Sequence, residues 1–142
     1  RDHGCYSVKR GCETSNCGLC TVFVDDKPVL SCSMLTARVD GCKVDTLEGL
    51  QEEAKEFGAF VADQGAEQCG FCNPGMIMNA IDLSPFFLYS MNAIAMFREN
   101  PEPTREEIKA YLAGNLCRCS GYEGQLRAME AFIEYRKKGE RS

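Results

Sequence analysis

The chain has 142 residues, 44% hydrophobic and 26% charged, with a formal net charge of −5. That balance excludes a disordered or fibrous chain and fits one globular domain or two small ones. The acidic excess, with no basic stripe, argues against a nucleic-acid partner. Ten cysteines in this length is far above ordinary usage, so the thiols carry most of the functional information.

The chain opens "RDHGCYSVKRGC", with no apolar leader segment and no initiator Met, which suggests an excerpt or a chain whose first part lies elsewhere. With no sign of export, and at greater length than secreted disulfide scaffolds usually have, metal ligation in a cytoplasmic setting is the expected use of the thiols. Cys12, Cys17 and Cys20 then follow as C-x4-C-x2-C, with Cys32 further on. This is the plant-type [2Fe–2S] spacing, in which one loop wraps a cluster and supplies ligands at short intervals. Gly11 and Gly18 in that loop are expected to let backbone come close, so that N–H groups can point at sulfur. The run "TVFVDDKPVLSC" predicts a β-hairpin built on Val22, Val24 and Val29, with Asp25-Asp26-Lys27-Pro28 as its turn and Cys32 at the end of its second strand.

Leu50, Ala54, Phe57, Phe60 and Val61 recur at helical spacing. A helix there leads into "QCGFCNPG", which holds Cys69 and Cys72. The stretch from residue 75 to 97 is apolar, but Asn79, Asp82, Ser84, Pro85, Ser90 and Asn92 interrupt it. It is read as two buried helices broken near Pro85, not as a membrane span. Thr104 and Glu107 form a capping box, and Gly114 stands where a helix C′ glycine would. Next comes "CRC", with Cys117 and Cys119 too close in sequence for an unstrained mutual disulfide. Leu126, Met129, Ala131, Phe132 and Ile133 mark a last amphipathic helix.

The cysteines therefore fall into two sets, Cys12/Cys17/Cys20/Cys32 and Cys69/Cys72/Cys117/Cys119. For the first, the spacing favours iron–sulfur over zinc; a Rieske centre needs two histidines, and His3 is alone. For the second, a C-x2-C and a C-x-C turn at helix ends could close a tetrathiolate site for either zinc or an iron–sulfur cluster. A zinc-stabilised structural or interaction domain and a stand-alone ferredoxin both stay open at this point.

The motifs "GCETSNCGLCTV", "PVLSC", "TLEGL", "EQCGFCNPGMIM" and "GNLCRCSGY", in this order along nearly the whole chain, resemble the iron–sulfur subunit of the molybdenum hydroxylases, the xanthine dehydrogenase and aldehyde oxidase family. The resemblance implies an α+β fold: a partial ferredoxin-like β-grasp domain over 1–48, its first strands and most of its helix missing, then an all-α four-helix-bundle domain over 49–142. Within the second, residues 81–93 look inserted. It implies two [2Fe–2S] clusters, the first on Cys12, Cys17, Cys20 and Cys32 and the second on Cys69, Cys72, Cys117 and Cys119. Gln68 and Cys119 match the family positions nearest the pterin cofactor. The implied function is electron transfer from a molybdopterin centre, which hydroxylates a purine, aldehyde or N-heterocycle, to a flavin or other acceptor. Partners would be a molybdopterin-binding large subunit and an FAD-binding medium subunit. The chain would carry no catalytic residue itself.

Cys5 and Cys42 match no ligand position and read as ordinary thiols, and Met76, Met78, Met91 and Met96 as core packing. Lys9 and Arg10 read as solvated surface, and Arg118 as solvent-facing or as a charge that tunes the second cluster.

Overall fold

The computed structural model describes residues 2–81 and 103–139. The expected break at Pro85, Met91, Met96 and, from residue 82 on, the segment read as inserted lie outside the described residues. Among the described residues the chain is α+β, with a small antiparallel sheet followed by four helices. The strands are β1 (Thr21–Val24), β2 (Lys27–Leu30) and β3 (Val44–Asp45), in the order β2-β1-β3. The helices are α1 (Gln51–Asp63), α2 (Asn73–Ile81), α3 (Arg105–Leu112) and α4 (Glu123–Gly139).

The hairpin forms where its valines require it, but its turn is tighter than expected. Val24 pairs with Lys27 and Phe23 with Pro28, so the turn is Asp25-Asp26 alone. Both aspartates take positive φ, 47° and 61°. A two-residue turn with both centres left-handed matches the twist of the flanking strands, and Asp tolerates that conformation better than most residues. Pro28, expected in the turn, is instead in β2, an edge strand where a missing N–H does least harm.

The helices form because their apolar stripes meet. Phe57 and Val61 of α1, Met76 of α2, Ile108 and Leu112 of α3, and Leu126, Met129 and Phe132 of α4 make one buried cluster. Phe132 is its hinge, edge-on to both Phe57 (5.1 Å) and Phe60 (5.4 Å). Met76 and Met78 are fully buried, as core packing requires. The predicted capping box opens α3: the Thr104 side chain accepts from the Glu107 N–H, and the Glu107 carboxylate accepts from the Thr104 N–H at 2.7 Å. Gly114 stands at C′ but not with positive φ. Its carbonyl oxygen meets the first cysteine loop, as described below.

A second cluster joins sheet to helices, with Phe23 of β1 packed against Leu50 and Met78. A third consists of Cys17, Leu19 and Cys72, with Cys12 and Cys117 against it. The residues that pack the two halves of the chain together are thus in part the cysteines themselves.

Candidate metal centres

The first centre is a loop folded around its own sulfurs. All four cysteines of the first set line one cavity of about 400 Å³ with Val8, Lys9, Arg10, Gly11, Glu13 and Ser31. Glu13 and Ser15 are both left-handed, each with φ 60°. This alternation turns successive N–H groups inward, and those of Thr14 (3.3 Å) and Asn16 (3.4 Å) donate to Cys12 Sγ. Backbone N–H groups held this way form a concavity for negative charge. The Thr14 side chain and these two amides hold the Cys12 thiol down to about 6. Burial pushes the neighbouring Cys17 thiol up. Cys17 acts on the Cys12 thiol and Cys20 on that of Cys32, where it heads the causes that lower it.

The amides donating to Cys12 are thus those of Thr14 and Asn16, while the two glycines allow close approach of the backbone. At Gly11 a Cβ would lie 2.9 Å from Cys17 Sγ and 2.7 Å from Leu19 Cδ1. At Gly18, φ +72°, it would lie 2.2 Å from the carbonyl oxygen of Gly114. Gly18 and Gly114 are where the two cysteine loops touch.

The second centre takes its sulfurs from the turns that start α2 and α4. Gly70 (φ 74°) bends the chain between Cys69 and Cys72, and Gly121 and Tyr122 (φ 65° and 67°) bend it after Cys119. The Tyr122 hydroxyl accepts from the Cys117 N–H at 2.7 Å, locking the C-x-C loop against the start of α4. Cys119 and Cys69 stand with sulfurs 3.4 Å apart. Cys72 and Cys117 form the other pair. Burial, then Cys117, pushes the Cys72 thiol up to about 12, while a hydrogen bond from Gln125 acts the other way. Cys117 is lowered despite burial, by the Ser120 side chain and the amides of Cys119 and Ser120; the Ser120 amide donates to its sulfur at 3.3 Å. Cys69 is lowered chiefly by the Phe71 amide, and Cys119 raised by its Cys69 partner.

Eight sulfurs thus stand as four pairs, 12/17, 20/32, 69/119 and 72/117. A single tetrahedral ion would gather four sulfurs equally, at metal–sulfur distances of about 2.3 Å. Two thiolates on each of two irons is the requirement of a [2Fe–2S] cluster, and pairing of this kind suits it. The donor sets fit the clusters.

The pairs also have an order in space. Cys17 and Cys72 are buried in one contact cluster with Cys12 and Cys117, while Cys32, Cys69 and Cys119 are exposed. The inner pairs of the two centres face each other. Between them the Leu116 N–H donates to the Cys17 carbonyl at 2.8 Å, so one hydrogen bond links a residue of the first set to the neighbour of Cys117. Lys9 lies 5.9 Å over the Phe71 ring, a further tie between the loops. Gln68 is exposed beside Cys69. Cys5 and Cys42 stand outside both groups; Cys42 bonds to the Arg38 carbonyl.

Sequence reasoning missed Gln125, which is 0% exposed and whose Nε2 lies 3.7 Å from Cys72 Sγ. The signal was present: position 125 falls on the same helical face as Met129 and Phe132, where an apolar residue belongs.

The described helices include none long and apolar enough to cross a membrane. A family model described as a [2Fe-2S] binding domain matches residues 46–85 and 89–130. The nicotinate dehydrogenase small FeS subunit of Eubacterium barkeri is 42% identical over 123 residues, 85% of this chain and 70% of that protein. The xanthine dehydrogenase iron-sulfur-binding subunit of Escherichia coli O157:H7 is 42% identical over 125 residues, 87% of this chain and 72% of that protein. Among solved structures, quinoline 2-oxidoreductase from Pseudomonas putida 86 superposes with a TM-score of 0.75 at 35% identity, covering 96% of this chain and 79% of that one. The aldehyde oxidoreductase of Desulfovibrio gigas superposes at 0.73 and 30% identity, covering 97% of this chain and 14% of that one. Two sets of four thiols, a matching [2Fe-2S]-binding model and relatives of this kind agree: the chain belongs to the iron–sulfur subunits and domains of the xanthine dehydrogenase and aldehyde oxidase type of molybdenum oxidoreductase.

Proposed function

We propose that the chain is the electron-transfer subunit of a molybdenum hydroxylase, carrying two [2Fe–2S] clusters between a molybdopterin centre and a flavin or other acceptor. Cys12, Cys17, Cys20 and Cys32 would hold one cluster, and Cys69, Cys72, Cys117 and Cys119 the other. Each cluster, when bound, supplies one-electron uptake and release. The observation that carries this reading is the facing of the inner pairs, 12/17 and 72/117, across the Cys17–Leu116 hydrogen bond.

The protein's part is to hold and insulate. The amides of Thr14, Asn16 and Ser120 donate to ligand sulfurs and favour the more negative, reduced state. Leu19 and the buried cysteines exclude water where the loops meet. Exposed Cys69 and Cys119, with Gln68 beside them, give the second centre an outer edge. A molybdopterin-binding large subunit would dock there, with Gln68 and the Cys119 loop against the pterin. The exposed side of the first centre, at Cys32, would face an FAD-binding medium subunit. A purine, aldehyde or N-heterocycle is the proposed substrate class, on the strength of what the relatives' names record. The proposed division is a β-grasp part over 1–48 and a helical part over 49–142, with 81–93 inserted. A reducing, cytoplasmic setting, in which thiols stay available as ligands, goes with this reading.

The test is iron and acid-labile sulfide on anaerobically purified protein, with EPR after dithionite reduction. About four irons and four sulfides per chain are expected, with two distinct signals. Cys20→Ala should abolish one signal and Cys72→Ala the other, which also assigns them. Zinc without sulfide would overturn the proposal.

A further inference from the structure

One buried polar side chain in the helical part has no structural reason to be polar. On α4, residues 125, 128, 129 and 132 follow the i, i+3, i+4, i+7 spacing of a core-facing stripe. Three are apolar, Ala128, Met129 and Phe132, all buried. The first is Gln125, with no exposure at all. Its Oε1 is buried without a partner. Its Nε2 meets one sulfur, Cys72 Sγ, at 3.7 Å. A carboxamide satisfied at one end only is a poor core residue. What distinguishes it from a methionine of similar size is the N–H aimed at a thiol of the second set.

We propose that Gln125 is a positioning residue for the second cluster, donating its amide N–H to the Cys72 thiolate and raising that cluster's reduction potential. The proposal rests on the electron-transfer reading above. A metal-bound thiolate has lost its proton and can only accept, so of the two ends of the carboxamide only the N–H end can face it. Reduction adds negative charge, and a donor to the ligand sulfur stabilises the reduced state more than the oxidised one. Asn73 also reaches Cys72, its Oδ1 being 3.7 Å from the sulfur. It is half-buried at the start of α2, free to turn or to exchange its bond for water, whereas Gln125 is enclosed. Cys72 belongs to the inner pair, so the effect would fall on the side of the second centre that faces the first.

The experiment is an EPR-monitored redox titration of the cluster-loaded protein in its native complex, wild type against Gln125→Met. Met keeps the length and removes the donor. The expected result is a lower potential for the signal assigned to the second set. At a fixed potential the reduced-to-oxidised ratio there should fall about tenfold, equivalent to ~59 mV for a one-electron couple. The first-set signal and the iron content should stay unchanged. An unmoved second signal, or equal movement of both, overturns the proposal. If the variant does not load, Gln68→Glu protein labelled with 15N at the glutamine carboxamides replaces it, so that the label beside Cys69 is absent: a 15N coupling to the reduced second cluster by pulsed EPR supports the proposal, and its absence overturns it. Wild-type protein without acid-labile sulfide would instead overturn the electron-transfer reading, and this inference with it.

Discussion

Replacing Gly75 by alanine tests the contact between the two cysteine loops, with Gly58 as an internal control. Both glycines lie inside helices, where Ala is favoured over Gly by about 1 kcal/mol. At Gly58 in α1 an added Cβ meets nothing within 4 Å. Gly58→Ala should therefore stabilise by about 0.5–1 kcal/mol and raise Tm by about 3 °C. At Gly75 in α2 the Cβ would lie 2.6 Å from the Gly18 carbonyl oxygen, 2.9 Å from Leu19 Cα and 3.0 Å from Asn115 Oδ1. Two of these are backbone atoms, which cannot rotate away. Gly18 cannot retreat either, because its own vacant Cβ position is 2.2 Å from the Gly114 oxygen.

Such overpacking costs about 1–3 kcal/mol, and separating the loops would also weaken the Leu116–Cys17 hydrogen bond, worth about 1 kcal/mol. The propensity gain is outweighed, leaving Gly75→Ala destabilised by about 1–3 kcal/mol. Chemical denaturation of both variants in the cluster-loaded protein reads the stability. Low-temperature EPR of the fully reduced protein reads the magnetic interaction between the centres, which should weaken in Gly75→Ala alone. If Gly75→Ala stabilised as Gly58→Ala does, the loops would not be packed against each other and the reasoning would fail.

Acid should loosen the N-terminal segment through Glu48. Its carboxylate accepts from the Ser7 N–H (2.7 Å), the Ser7 hydroxyl (2.6 Å) and the Thr46 hydroxyl (2.7 Å). Burial is the largest single influence and pushes the carboxyl up, but these bonds together outweigh it and hold it down to about 2, from 4.5. A lowered folded-state value means the stabilisation is present above pH 4.5 and is lost as pH falls towards 2. Because Glu48 is exposed, solvent screening leaves about 1 kcal/mol of it. Glu48→Gln should remove that amount at pH 7 and flatten the acid limb of the stability curve, measured by denaturant titration across pH. At the start of α3, Thr104→Ala removes the capping box and should cost about 1 kcal/mol in the same assay, with both EPR signals retained. Loss of the second signal would mean that α3 does more to form the second centre than pack beside it.

What could be read from the chain alone was what depends on near neighbours. Cys12, Cys17 and Cys20 sit in one short loop, so their spacing already describes the shape of the object they could wrap. The Thr104–Glu107 capping box and the stripe through Phe57 and Val61 are likewise local, and the structure shows both. The local misreadings at the hairpin were small: Lys27 and Pro28 are drawn into β2 because a left-handed Asp25-Asp26 pair suffices to reverse the chain, and Cys32, expected at the end of β2, stands in the 3-10 turn Ser31–Ser33 that follows it. Gly114 at helix C′ and Gly18 as a place of close backbone approach were both legible, but neither spacing nor propensity says that Gly18 makes room for the carbonyl of Gly114. Only the tertiary structure decided which sulfurs stand together, which pairs are enclosed and that Cys17 meets Leu116. Those relations join residues up to about a hundred positions apart, brought together by the burial of Phe23, Met78 and the α1–α4 core. Gln125 belongs to the same class: a helical period marks it as misplaced in an apolar stripe, but only the packed fold puts a cysteine sulfur opposite its amide.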